Sequence, residues 1–308
     1  MQFKFRWWRY LAPSHWHTWL GLGLLWLVGR LPMPLIAILG SAMGMLLYAL
    51  FPVRRRVVYR NISTSFPELN DRACKRLSRT NYRQTGQSIL SNSIAWWASE
   101  KRLDRLVNIK GQQYLDEADN SGRPIILLVG HFVALEMGGL YLARQPIIDI
   151  YRKPRNRLLN ELLLNRRKRW GTATVCEIKE GLKPVIRAMK KGARFYYLPD
   201  QDFGRRRSIF VPFMGIQTAT IPAMARLCRI TNAIVLPCYT RLLPMARGFE
   251  IVIKPALKNY PSGDDYADAV VMNQAIEAMV REAPDQYFWL HKRFKTRPEG
   301  EAPFYQDA

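Results

Sequence analysis

The stretch Pro124-Ile125-Ile126-Leu127-Leu128-Val129-Gly130-His131-Phe132-Val133-Ala134-Leu135-Glu136 decides the fold. Five apolar residues between a proline and a glycine read as a buried strand, and Leu135, Met137, Leu140 and Leu142 beyond them follow helical spacing. His131 is therefore expected at a strand-to-helix junction, on the carboxyl edge where open α/β sheets collect ligands. Glu136 follows about one and a half helical turns later, so an imidazole and a carboxylate can face one cleft.

That pair suits proton removal from a hydroxyl, with His131 as general base and Glu136 orienting the ring and stabilising the imidazolium that forms. The positive pole of the helix amino end disfavours a charged ring, and the carboxylate would offset it. A general base contributes roughly 10²–10⁴ in rate, so positioning and charge stabilisation must come from other residues. On spacing alone, His-x4-Glu also fits a partly buried histidine beside an exposed helical glutamate.

The 308 residues carry 47 Lys and Arg against 24 Asp and Glu, a net charge of +23. Residues 259–308 are net −4 and the rest net +27. Such a field favours anionic partners, whether nucleic acid, phospholipid headgroups or phosphorylated substrates. The amino-terminal segment points to lipid, because from Tyr10 to Val53 only Arg30 is formally charged. Residues 31–51 as a helix span about 30 Å, the thickness of a hydrocarbon core, whereas Trp16–Gly29 covers only about 21 Å. Arg30 would cost roughly 2.5–3.5 kcal/mol at the bilayer centre, which puts it near an interface. One spanning helix with an interfacial companion and a shallow helical hairpin both satisfy this pattern. Pro32, Pro34 and the length of the apolar region argue for a retained anchor rather than a cleaved signal peptide. Its flanks interleave Phe3, Phe5, Trp7, Trp8 and Tyr10 with Lys4, Arg6 and Arg9, and end in Arg54-Arg55-Arg56. The expected organisation is an anchor over 1–53 and one catalytic domain over 54–308.

Beyond a long helix at 72–99, whose Trp96-Trp97 pair reads as packing, strands are expected at 124–129, 147–151, 194–198, 233–239 and 249–253. Helices are expected at 133–143, 156–169, 181–191, 218–229 and 267–282. This alternation predicts an α/β fold with a mostly parallel sheet flanked by helices. Cys74, Cys176, Cys228 and Cys238 are scattered, which suits a reducing compartment, and no His-Glu-x2-His arrangement suggests zinc. The run Arg152–Arg169 holds eight basic residues against Glu161 alone, a concentration that an anionic ligand explains better than a solvated helix does.

Over nearly its whole length the chain resembles the lipid A late acyltransferases, within the wider glycerolipid acyltransferase superfamily. The likeness rests on Gly130-His131-Phe132-x3-Glu136, on Tyr151-Arg152-Lys153-Pro154-Arg155-Asn156, and on Leu198-Pro199-Asp200-Gln201-Asp202. It continues in Val211-Pro212-Phe213 and in the unusual closing stretch Gln286–Gly300. The resemblance implies His131 and Glu136 as the catalytic pair, supported by Asp200, Arg152, Asn156 and one arginine of the basic run. Register from Tyr151-Arg152 favours Arg167 for that arginine, with Arg166 and Arg169 adjacent. It also implies an acyl carrier protein thioester as donor and the phosphorylated, Kdo-bearing lipid A precursor as acceptor. Transfer would go to the hydroxyl of a chain already attached, without a cofactor, at the bacterial inner membrane with the catalytic domain facing the cytoplasm. No Gly-x-Ser-x-Gly elbow is present, so direct transfer is expected rather than an acyl-serine route. Two other readings are a glycerophospholipid or other glycolipid acyltransferase of the same superfamily, and a membrane-tethered nucleic-acid-binding protein using Arg166–Arg169. No nucleic-acid-binding motif accompanies that charge, so no nucleic-acid partner is expected.

Overall fold

Two apolar helices, α1 (Trp16–Val28) and α2 (Met33–Leu50), precede the basic α3 (Pro52–Ser65) and the 27-residue α4 (Asp71–Trp97). Next come α5 (Glu100–Leu106), β1 (Val107–Lys110), α6 (Gln112–Asn120), β2 (Ile125–Val129) and α7 (Leu135–Leu142). They lead to β3 (Ile147–Tyr151), α8 (Arg157–Arg167), β4 (Ala173–Glu177), α9 (Lys183–Met189) and β5 (Arg194–Tyr197). The hairpin β6 (Ile209–Phe213) and β7 (Ile216–Thr220) is followed by α10 (Ala223–Thr231), β8 (Ile234–Leu242), β9 (Phe249–Ile253) and α11 (Asp265–Glu282). This computed structural model describes Phe5 and residues 7–306, so Phe3, Lys4 and Arg6 of the amino-terminal flank lie outside the described residues.

Seven strands form one sheet in the order β1-β9-β8-β2-β5-β3-β4, and every neighbouring pair is parallel except β8 with β9. Ile126 and Leu128 of β2 face one core and Ile125, Leu127 and Val129 the other. That two-sided burial explains an unbroken apolar run where a half-exposed strand would alternate. Four strands escaped the sequence reading: the hairpin β6 and β7, and β1 and β4, which form the edges of the large sheet and carry polar residues.

The expected helix over 218–229 is corrected. Its first residues belong to β7, where Ile216, Thr218 and Thr220 are buried on one face, and the helix begins only at Ala223. Met214 and Gly215 both have positive φ, at 50° and 76°, the backbone that a two-residue hairpin turn requires.

Among the described residues only α2 is long and apolar enough to cross a membrane by length and composition. It lies against α4 with the two backbones in direct contact. A Cβ built on Gly86 would run into the carbonyl oxygen of Gly40 and the amide of Gly44, and one on Gly44 would meet the Tyr82 carbonyl. On its other side α4 is tied to the body of the protein, since Asn81 Nδ2 donates to the carbonyls of Asp285 and Tyr287, both at 2.8 Å. The Ser88 hydroxyl likewise donates to the Val133 carbonyl, beside the strand-to-helix junction. Replacing Gly86 by Val should force this contact apart and cost about 1–3 kcal/mol, read as a lowered Tm in detergent. Gly23→Ala on α1, with open space around it, should be neutral or stabilising by up to about 1 kcal/mol.

Candidate active site

The parallel pairing of β2 with β5 sets Leu128 beside Tyr197, and three residues further along each chain stand His131 and Asp200. One carboxylate takes both polar groups of the histidine. Asp200 Oδ2 accepts the His131 backbone N–H at 2.7 Å, and Oδ1 lies 2.5 Å from ring Nδ1. Tyr287 donates its hydroxyl to Asp200 Oδ2 at 2.9 Å. Burial pushes the Asp200 carboxyl up, but His131 and the hydrogen bonds from His131 and Tyr287 outweigh it and hold the group at about 2. With an ionised carboxylate on Nδ1, that nitrogen carries the proton, and Nε2 is the nitrogen left to meet a substrate. The closing stretch locks the loop from beneath, because Phe288 N–H donates to the His131 carbonyl and Val133 N–H to the Gln286 carbonyl, both at 2.8 Å.

Glu136 does not orient this ring. The helix starts only at Leu135, so His131 and Glu136 are not one and a half turns apart on a common helix. The glutamate instead receives Arg167, with Nη2 at 2.6 Å from Oε2 and Nε at 3.3 Å from Oε1, and Trp96 Nε1 at 3.3 Å. Arg167 Nη1 reaches Asp149 Oδ2 at 3.0 Å. Burial raises the Glu136 carboxyl, yet the guanidinium overrides it and the group is held below its ordinary value. For Asp149, burial wins and its carboxyl is raised despite the same arginine.

The arginines at the carboxyl-terminal end of the basic run have internal partners. Arg169 donates to the carbonyls of Ala95 at 2.8 Å and Ala98 at 2.6 Å, and Arg166 to that of Trp96 at 3.4 Å. These are the last carbonyls of α4, which lack intrahelical partners. The expected anion site therefore does not extend to these two arginines, and a nucleic-acid contact through Arg166–Arg169 loses its donors. Asn156 is the amino-terminal cap of α8, accepting the Leu159 N–H at 3.0 Å, and it donates to the Thr18 hydroxyl on α1 at 2.9 Å. Arg152 is exposed and lines the cavity described next, the one favoured basic residue of the run left open to an anion.

Beside His131 opens a cavity of about 350 Å³. Its apolar wall comes from Leu135, Leu140 and Ala143 of α7 and its cap, Ile147 and Ile150 of β3, and Leu163 of α8, while Glu136, Asp149 and Arg167 line it as a group. Sequence reasoning missed Asp149 and Tyr287. An acid inside the otherwise apolar Ile147-Ile148-Asp149-Ile150 was the available signal, because Asp is rarely buried unpaired. Nothing in the local sequence announces that Tyr287 reaches Asp200. All four cysteines are buried and free, and the described residues contain no cluster suited to a metal ion.

A carboxylate-bound histidine on the carboxyl edge of a parallel sheet, opening on an apolar cavity, suits an acyltransferase, and known proteins agree. Residues 3–296 match the family described as bacterial lipid A biosynthesis acyltransferase, and the chain belongs to that family. It is 35% identical over 292 residues to the lipid A biosynthesis lauroyltransferase of Escherichia coli (strain K12), covering 94% of this chain and 95% of that protein. Identity to the palmitoleoyltransferase of the same organism is 31% over 298 residues, 96% of each chain. Its myristoyltransferase is 27% identical over 300 residues, 96% of this chain and 91% of that protein.

Two separate networks predict two kinetic signatures. Asp200→Asn should lower kcat by roughly 10³–10⁴-fold, and the same change in a His131→Ala background should cost little more, because the pair acts as one unit. Glu136→Gln and Arg167→Gln should be non-additive with each other but multiplicative with Asp200→Asn, as acyl transfer rates of the double variants would reveal. Asp200 also bears on acid stability. Its carboxyl is depressed from 3.8 to about 2 in the folded protein, so its contribution, on the order of 2 kcal/mol, is complete above pH 4 and fades as pH falls towards 2. Denaturant titrations across that window should show a flatter dependence for Asp200→Asn than for the parent.

Proposed function

We propose that the chain transfers a fatty acyl group from an acyl carrier protein thioester to a hydroxyl on an acyl chain of the Kdo-bearing lipid A precursor. His131 acts as general base. The observation that carries this reading is the apolar cavity beginning at the one histidine whose Nδ1 is held by a buried carboxylate. Nε2 takes the proton of the acceptor hydroxyl as its oxygen attacks the thioester carbonyl carbon. The tetrahedral intermediate collapses with expulsion of the thiolate, which recovers that proton from the imidazolium. Asp200 stabilises the imidazolium between the two steps. Burial raises the thiols of Cys228 and Cys238 to about 12, which argues against a cysteine nucleophile.

The eight steps from Leu135 to Ala143 along the cavity wall span about 12 Å, and the four steps of β3 from Ile147 to Tyr151 about 13 Å. An extended hydrocarbon advances about 1.25 Å per carbon, as its bond length and angle require, so this slot holds a chain of roughly ten methylenes. The donor's acyl chain is its occupant on this reading. Arg152 at the rim meets phosphate of the acceptor, and the net charge of +23 draws in an acidic carrier protein. The amino-terminal helices keep the enzyme at the cytoplasmic face of the inner membrane, where α1 touches α8 through Thr18 and Asn156.

Mass spectrometry of lipid A from cells lacking and then regaining this chain tests the activity, and an unchanged acyl pattern would sink it. Purified enzyme offered a series of acyl carrier protein thioesters tests the cavity. Gly139→Leu, which adds bulk midway along α7 beside Tyr196, should shift the preferred donor to a shorter chain.

A further inference from the structure

The apolar helices α1 and α2 present an extensive exposed surface, with Leu20 at 66%, Ile38 at 64% and Leu50 at 61% exposed, joined by Leu24, Leu27 and Leu46. Patches of this kind mark a contact with a partner or a membrane. What decides how a membrane meets them is where the two helices are fastened.

The fastening is at every turn of the hairpin. Before α1, Tyr10 donates its hydroxyl to Glu161 on α8 at 2.8 Å, and Trp19 Nε1 donates to the Tyr10 carbonyl at 2.7 Å. At the turn between α1 and α2, Arg102 of α5 donates to the carbonyls of Gly29 and Leu31, the latter at 2.6 Å. Midway along α2, Gly40 and Gly44 meet Gly86 backbone to backbone. Near its end, Tyr48 stacks edge-on against Tyr82 at 5.2 Å. A helix crossing a bilayer carries one end about 30 Å from the other side's headgroups. Here the start, turn, middle and end all belong to one folded body.

Crossing would also drag α4 into the hydrocarbon. Arg83 shares a face of α4 with Gly86 by its three-residue spacing, lies against Gly44 midway along α2, and is exposed. It would meet the penalty that keeps arginine out of a bilayer centre. At a headgroup layer Arg83 is favourable, as is the exposed Arg56 of α3, whereas Arg54 and Arg60 turn to the closing stretch, at the Leu290 carbonyl and over the Phe304 ring. Exposed apolar helices joined to exposed basic residues on the neighbouring α3 and α4 are the composition of a surface that lies in an interface.

We propose that α1 and α2 do not span the membrane but lie within a single leaflet of anionic lipid, with Arg56 of α3 and Arg83 of α4 at its phosphates. The proposal deepens the membrane placement given under Proposed function and depends on it. Of the two anchor forms that the sequence allows, it selects the shallow hairpin.

The test is side-specific labelling of the full chain in sealed inner-membrane vesicles of both orientations with a membrane-impermeant maleimide. The four native cysteines are buried, which leaves a low background. Single cysteines enter as Ser14→Cys before α1, Arg30→Cys in the turn, and Lys179→Cys, where the lysine is 78% exposed on the catalytic body. The expected result is that Ser14→Cys labels only from the face that labels Lys179→Cys, and that Arg30→Cys labels from that face or from neither. Labelling of Ser14→Cys or Arg30→Cys from the opposite face would overturn the single-leaflet geometry and leave membrane residence intact. A parallel extraction at high salt and alkaline carbonate separates the two failures, because release of the chain into the supernatant would sink the membrane placement itself. Purified chain should further bind phosphatidylglycerol vesicles more tightly than phosphatidylcholine vesicles, with an advantage that shrinks as salt rises. Equal binding to both would remove the arginines from the proposal.

Discussion

The double grip of Asp200 on His131 is the contact from which the site is built. A loop histidine has many rotamers, and only a second group held rigidly can choose one. The rigid frame is the β2–β5 pairing, which brings the two loops out of the sheet in register. One carboxylate then fixes the loop through the backbone N–H and the ring through Nδ1. Tyr287 adds a third bond to the same carboxylate, and Phe132 stacks on Tyr287 at 5.6 Å, so the loop's aromatic neighbour is packed by the residue that supports its acid. Removing the carboxylate would release ring, loop and closing stretch together.

The second buried network answers a different need. Arg167 faces two carboxylates, so the group carries one negative charge more than positive, and burying that excess is expensive. The cost falls on Asp149, whose carboxyl is raised, while Glu136, with two contacts to the guanidinium, is held below its ordinary value as the ionised counter-ion. A cation held this way has a fixed direction. Arg167 sits in the cavity wall as a set charge near the chemistry, unlike Arg152, whose exposed side chain can follow a ligand.

Much of this was legible in the chain. The apolar run before His131, the alternation of strands and helices, and the anchor-like amino terminus are local patterns, and local patterns survive into the fold. Asp200 and Arg167 could be singled out, but not their partners, because partner choice depends on strand order. Only after β5 is known to lie beside β2, and β3 beside β5, does the grouping of His131 with Asp200 and of Glu136 with Asp149 follow. The misread stretch at 218–229 failed for the opposite reason. Thr218 and Thr220 suit a strand by their branching, but they run directly into the helical spacing of α10, which extends the helix pattern backwards over them, and the turn at Met214–Gly215 gives its signal only through its backbone.

The closing stretch has a consequence for how the protein comes into being. Asn61 on α3 donates to the carbonyls of Trp289 and His291 at 2.8 and 2.9 Å, and Asn81 on α4 to those of Asp285 and Tyr287. Early helices thus recognise the backbone of a segment more than two hundred residues later in the chain. Until residues 285–291 emerge, these asparagines lack their partners, Asp200 lacks the Tyr287 hydroxyl, and the histidine loop lacks its two backbone bonds from beneath. In chain order α1 and α2 therefore precede by more than two hundred residues the segment that completes the support of His131. A chain lacking residues 285–291 would keep His131 and Asp200 but lose the contacts that hold both in place.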